Sequence, residues 1–155
     1  MSFYKYVKFV WLFSTCILLV SCSEQADKYY KTFKEAQANH AVEKGLLPAI
    51  MPSSAKEIYQ THYIDIPGTR VKFIVDQSGV EEIKSKTKEL NKDEFASVEK
   101  QFGWLPKWWP EKLSDQDLTL LRYNYDLEYG DGHKEGKVGY FVISSETGQG
   151  YYLNN

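Results

Sequence analysis

The clearest pattern in the chain is an alternation of apolar and polar residues near the C-terminus. From Leu121 to Tyr129 every second residue is leucine or tyrosine, and the residues between them are charged or carry an amide. A period of two predicts a β-strand with one buried face. A glycine-rich turn at residues 130–132 follows, and the apolar segments 137–144 and 151–153 predict two further strands. The last third of the chain is therefore predicted to form a β-meander.

The preceding segments carry the apolar spacing and the capping residues that are typical of helices. Ser54 and Glu57, for example, have the spacing of a capping box. The predicted helices cover residues 28–44, 55–62, 78–90 and 92–102, and one predicted strand covers residues 70–75. We therefore expect an α+β fold in which N-terminal helices pack on an antiparallel sheet of about four strands that ends in the C-terminal meander.

The N-terminus has the pattern of an export signal. Residues 1–8, which include Lys5 and Lys8 and no acidic residue, precede an apolar run at residues 9–20. As a helix this run spans only about 18 Å, which is too short to cross a bilayer core of about 30 Å. The run ends in Leu19-Val20-Ser21-Cys22, which resembles the lipobox of bacterial lipoproteins. This resemblance implies cleavage before Cys22 and lipidation of that cysteine, including palmitate.

The expected domain organisation follows from that resemblance. Residues 1–21 are the signal peptide, residues 22–27 are a tether, and residues 28–155 are a single globular α+β domain. The expected partner is a membrane, to which the chain is attached by the lipid on Cys22, since two acyl chains give stable anchoring. Ser23 in place of an aspartate favours the outer membrane, at its periplasmic face, if the cell is Gram-negative. An ordinary secretory signal with an incidental cysteine is the alternative.

Two segments of the chain resemble each other. Residues 42–52 and 98–110 both contain Val-Glu-Lys followed by the pattern G-x-L-P-x-x-x-P. Convergence of two unrelated segments on the same helix-ending sequence explains this more simply than duplication of one segment does. Both explanations remain open. The longer pattern at residues 45–73, which begins G-x-L-P-x-x-x-P-S-S-A, resembles a segment of small uncharacterised bacterial envelope proteins.

The composition argues against several classes of function. A net charge of −2 over 155 residues is not typical of a nucleic-acid-binding protein. The three histidines, His40, His62 and His133, do not have the spacing of metal ligands, and no nucleophile has a recognisable catalytic motif. We therefore expect no enzyme activity, no metal and no cofactor.

The remaining candidate chemistry is a tryptophan-rich segment, GWLPKWWP. Trp104, Trp108 and Trp109 form a candidate binding surface, because exposed aromatic side chains stack on sugars, peptides or apolar partners. The alternative is that they cover the core as a lid. Leu105 is predicted to point inward, which would leave at least one tryptophan on the surface.

The sequence thus predicts a lipid-anchored envelope protein whose role is protein binding or structural. A ligand- or glycan-binding lipoprotein that uses the segment Trp104–Trp109, and an immunity-type inhibitor, are the alternatives. The envelope protein partner and the oligomeric state are left open.

Overall fold

The computed structural model describes residues 25–64, 66–100, 104–110, 118–128 and 134–154. Within these ranges the elements, in chain order, are β1 (Gln25–Thr32), α1 (Phe33–Ala38), β2 (Lys56–Tyr63), β3 (Ile66–Ile74), α2 (Gln77–Ser85), β4 (Lys88–Glu89), α3 (Lys92–Glu99), β5 (Thr119–Glu128), β6 (Lys134–Ile143) and β7 (Gln149–Asn154). The strands form one antiparallel sheet in the order β1-β2-β3-β7-β6-β5-β4. In this part of the chain, no helix has the length and apolar character needed to cross a membrane.

The predicted fold of N-terminal helices on a four-stranded sheet is wrong, because the described residues form seven strands and only short helices. The helix predicted at residues 28–44 is largely β1 followed by a helix of six residues, α1. The helix predicted at residues 55–62 is β2. Residues 25–27, which were expected to belong to the tether, are the first residues of β1.

Both errors have a physical reason. β1 is an edge strand in which only Tyr30 is buried, so its sequence carries no alternation of apolar and polar residues. In β2 the alternation is interrupted at Glu57, which has a φ of 50° and lies where the pairing with β3 shifts register. A bulge of this kind puts two residues opposite one, so the period of two is lost in the sequence.

The C-terminal prediction is confirmed. β5, β6 and β7 form the predicted meander, and in β5 Leu121 is buried while Tyr123 and Tyr125 are half-buried. Their polar neighbours Arg122 and Asn124 are exposed, as the alternation predicts. The strand predicted at residues 70–75 is part of β3, and the two predicted later helices correspond to α2 and α3.

A separate hydrophobic cluster covers each side of the sheet. On one side, called face A, α1 and α2 pack over strand residues that include Ile58, Phe73 and Phe141. On the other side, called face B, α3 and residues 108–109 pack over strand residues that include Leu120 and Val142. The central strand β7 contributes to both clusters, because its successive side chains point to opposite faces.

The sheet contains two units with the same order of elements, β-α-β-β. The first unit is β1-α1-β2-β3 and the second is β4-α3-β5-β6. Because all pairs are antiparallel, corresponding strands of the two units run in the same direction, while their spatial order is reversed about β7. A half-turn about an axis along β7 relates the two units. This rotation exchanges the faces of the sheet, and α1 and α3 do lie on opposite faces.

The two similar sequence segments occupy the same place in the two units, between the helix and the following strand. In each segment the third residue after proline donates its backbone N–H back to that proline. The distance is 3.1 Å from the Met51 nitrogen to the Pro48 oxygen and 2.9 Å from the Trp109 nitrogen to the Pro106 oxygen. Shared sequence, shared turn and shared place in the fold together favour duplication of a β-α-β-β unit over convergence.

The packing predicts that two glycines of the same strand differ in their tolerance to substitution. A Cβ atom at Gly139 would lie 2.6 Å from the ring of the buried Tyr152, whereas a Cβ at Gly136 would meet no atom within 4 Å. Gly139→Ala should lower the free energy of unfolding by about 1–3 kcal/mol. Gly136→Ala is the matched control and should change it by no more than about 0.5 kcal/mol. Urea titration measures both, and equal effects would contradict the packing of Tyr152 against β6.

Candidate binding surfaces

The tryptophan segment, residues 104–110, lies against face B. Trp109 is only 8% exposed and belongs to the hydrophobic cluster of this face. Its ring packs edge-on against Tyr151 at a centroid distance of 5.4 Å, and the half-buried Trp108 lies 5.7 Å from it on the other side. Trp109 therefore acts as core, which is the alternative that the sequence left open for this segment.

Trp104 is held at one end of the sheet by two residues of the first unit. The ring of Tyr63 meets it edge-on at 4.4 Å, and the guanidinium carbon of Arg70 lies 4.7 Å from its centroid. Arg70 is fully buried and donates hydrogen bonds to the backbone oxygens of Thr69, at 3.0 Å, and Asn154, at 2.6 Å. Burial lowers the pKa of the Arg70 guanidinium to about 10, so it remains charged at neutral pH and attracts the face of the indole ring.

The predicted orientation of Leu105 is wrong. Its side chain is 41% exposed, because the contacts of Trp104 and the burial of Pro106 on either side turn it outward. A binding role for Trp104 and Trp108 stays a prediction, since both are half-buried and retain some accessible surface. The predicted lipidation site, Cys22, lies outside the described residues.

A groove on face A was not anticipated from the sequence. It has a volume of about 180 Å³ and lies between residues 42–49 and three tyrosines of the second half of the sheet, Tyr123, Tyr125 and Tyr152. The Tyr123 and Tyr125 rings stack nearly parallel, at 12° and 5.3 Å. One wall of the groove is thus aromatic, while the opposite wall is formed by small and aliphatic residues and Glu43.

A hydrogen-bond chain gives the groove a fixed polar end. The backbone nitrogen of Thr69 donates to Asn154 Oδ1 at 2.7 Å, which orients the amide so that its Nδ2 donates to the Tyr125 hydroxyl at 2.8 Å. Burial first, and then the neighbouring Tyr125, raise the pKa of the Tyr152 hydroxyl well above its ordinary value. Tyr152 therefore stays neutral at physiological pH, and the groove presents hydroxyl and amide groups together with the carboxyl groups of Glu43 and Asp126.

The groove and the Trp104 contact are at corresponding places in the two units. In the second unit the residue after the glycine of the G-x-L-P pattern is Trp104, which packs against Tyr63. In the first unit the corresponding residue is Leu46, which packs onto the face A cluster, while its neighbours Leu47, Pro48 and Ala49 line the groove opposite Tyr125. The sequence repeat was the one signal that pointed to this groove. Locating the groove from it also required knowing that the tyrosines of β5 lie opposite residues 42–49.

A third feature is an exposed aromatic pair on face B. Tyr29 of β1 and Tyr59 of β2 are cross-strand partners with rings 4.8 Å apart. The Tyr29 hydroxyl donates to Glu57 Oε2 at 2.7 Å, and this bond to a carboxylate raises the pKa of Tyr29 to about 12. The two rings are tilted by 46° to each other, and both side chains are exposed.

Two of the three histidines, His40 and His62, lie in the part of the chain that the structure describes. Within the described ranges no three His, Cys, Asp or Glu side chains are grouped as metal ligands would be. His40 lies 3.8 Å from Glu43, and His62 Nδ1 lies 2.8 Å from Gln60 Nε2 in β2. His133 lies outside the described residues.

The comparison with known families concerns the first unit alone. Residues 24–73, which comprise β1, α1, β2 and most of β3, match the YbbD head domain family. This match includes the segment at residues 45–73 for which the sequence showed a resemblance to bacterial envelope proteins. No curated protein and no solved structure is detectably similar to the chain.

The burial of Trp109 predicts a stability difference within the tryptophan segment. Trp109→Ala should lower the free energy of unfolding by about 3–5 kcal/mol, because it removes a large side chain from the face B cluster. Leu105→Ala is the matched control in the same segment and should cost about 0.5 kcal/mol, since Leu105 is exposed. Chemical denaturation followed by circular dichroism measures both. A Trp109→Ala protein as stable as the control would show that the segment is not part of the core.

Proposed function

We propose that the chain is a lipid-anchored, non-enzymatic envelope protein that binds a protein partner through the groove on face A. The observation that carries the binding proposal is the open, aromatic-walled groove with its fixed Asn154 amide. The tryptophan segment, which the sequence offered as a candidate contact surface, has Trp109 in the core. The groove therefore replaces it as the principal binding site in this proposal.

The anchor is supported by the lipobox residues Leu19-Val20-Ser21-Cys22. β1 begins at Gln25, so an anchored Cys22 would be joined almost directly to an edge strand of the sheet. Such a domain would be held at the membrane surface rather than on a long stalk. In a Gram-negative cell this position is the periplasmic face of the outer membrane.

The kind of partner is suggested by the other unit of the same chain. There the corresponding space is filled by an aromatic side chain, Trp104, presented from a G-x-L-P segment. We infer that the open groove accepts an aromatic or aliphatic side chain of a protein partner in the same way. Stacking on Tyr125 and contact with Leu47 and Pro48 would bury its apolar surface.

A glycan or another small ligand is the second candidate for the same groove. The parallel Tyr123 and Tyr125 rings favour it, since sugars stack on aromatic faces, and the Asn154 amide and the tyrosine hydroxyls could bind hydroxyl groups. The aliphatic wall opposite the tyrosines favours the protein partner over this alternative.

The anchor is tested by metabolic labelling with palmitate. Cys22→Ser should abolish the label and leave unprocessed precursor or a soluble exported form, because the thiol that receives the diacylglycerol is gone. Cys16→Ser is the control and should be labelled like the natural chain. Undiminished labelling of the Cys22→Ser protein would refute the lipobox assignment.

The groove is tested by photo-crosslinking in intact cells with benzoylphenylalanine. Ala49 is exposed on the rim of the groove, and Lys107 is the exposed residue at the corresponding place beside Trp104. Position 49 should give a discrete adduct that protease digestion of the partner removes, and position 107 should give none. A periodate-sensitive adduct would indicate the glycan candidate, and equal adducts at both positions would contradict a role for the groove.

A further inference from the structure

We propose that the end of the sheet nearest Cys22 contacts the bilayer directly, with Ile64 and Leu105 as the side chains that enter the lipid interface. This inference rests on the proposed lipidation of Cys22. It adds a second membrane contact, made by the folded domain itself, to the covalent anchor. The occupant of this surface is the lipid bilayer and not a protein.

The length of the tether limits how far this end can lie from the membrane. Gln25, the first residue of β1, is three residues after Cys22. Three fully extended residues span at most about 11 Å. In the β1–β2 pairing, Gln25 lies opposite Tyr63, so the end of β2 and the following Ile64 lie at the anchored end of the sheet.

The tryptophan segment reaches the same end. Trp104 contacts Tyr63 and Arg70 there, which places the next residue, Leu105, beside it. Ile64 is 61% exposed and Leu105 is 41% exposed, and both are large aliphatic side chains. Both therefore lie at the one end of the domain that the tether brings to the membrane.

Two neighbouring side chains suit a lipid interface. Tyr63 is a half-buried amphipathic aromatic residue of the kind enriched at headgroup depth, and Lys107 is exposed two residues after Leu105. The buried Arg70 holds the indole ring from the protein side, so Leu105 is presented outward on a rigid support. Because the tether already confines this end to the surface, even a weak contact is formed most of the time.

The experiment measures the depth of a fluorescent probe in the anchored protein. Cys22 is the one cysteine of the chain after residue 21, so an introduced cysteine is labelled selectively once Cys22 is acylated. The probe is an environment-sensitive nitrobenzoxadiazole at Ile64→Cys or at Leu105→Cys. The lipoprotein is reconstituted in phosphatidylethanolamine–phosphatidylglycerol vesicles that contain a doxyl-labelled quencher lipid. The matched control is Glu146→Cys, because Glu146 is exposed in the β6–β7 turn at the opposite end of the sheet.

The proposal predicts quenching by doxyl lipid several-fold greater at positions 64 and 105 than at position 146, with emission shifted to the blue. Quenching as low as that of the control, with palmitate still present on the protein, would overturn this inference and leave the anchor standing. Absence of lipid on Cys22 would overturn the anchor and, with it, the premise of the contact. Protection of the two probes from aqueous iodide without quenching by doxyl lipid would point to a protein at this end, and would also overturn the proposal.

Discussion

The last strand of the chain, β7, lies between the two β-α-β-β units and pairs with β3 on one edge and β6 on the other. Its side chains alternate between the clusters, with Tyr152 on face A and Tyr151 and Leu153 on face B. Backbone pairing through β7 is what joins the two halves into one sheet. The hydrophobic cores, the groove and the placement of Trp104 all depend on this strand.

The half-turn that relates the units puts their equivalent segments on opposite faces, and this determines where binding surfaces arise. The segment at residues 104–110 lies on face B and fills the space beside Tyr63 with Trp104. The segment at residues 45–52 packs on face A, where Leu46 contacts the hydrophobic cluster and Leu47, Pro48 and Ala49 line the open groove opposite Tyr125. The two similar segments thus differ in an aromatic side chain, and one makes an internal packing contact while the other borders an open groove. The side with Trp104 also has the buried Arg70, which donates hydrogen bonds to backbone oxygens and lies against the indole face.

The short segment between Cys22 and β1 bears on both proposals, the lipid anchor and the binding groove. With β1 beginning three residues after Cys22, the orientation of the sheet towards a membrane would be restricted rather than free. The Asn154 end of the groove lies near the end of the sheet at which β1 begins, since Asn154 Oδ1 accepts a hydrogen bond from the backbone of Thr69 and Thr69 pairs with His62. A partner bound in the groove would therefore lie close to the bilayer surface.

The sequence by itself determined the parts of this protein that depend on local patterns. The meander was predictable because β5 has one buried and one exposed face, which produces strict alternation, and the lipobox resemblance is a short contiguous motif. β1 and β2 were not predictable, since an edge strand with one buried residue and a strand bulged at Glu57 carry helix-like local signals that only pairing with neighbours overrides. The outward turn of Leu105 depends on Arg70 and Tyr63, which are distant in sequence, and the groove depends on bringing residues 42–49 against Tyr125. Such contacts are made only when β7 joins the two halves of the sheet. The tertiary structure alone therefore decided which aromatic residues became core and which line a surface.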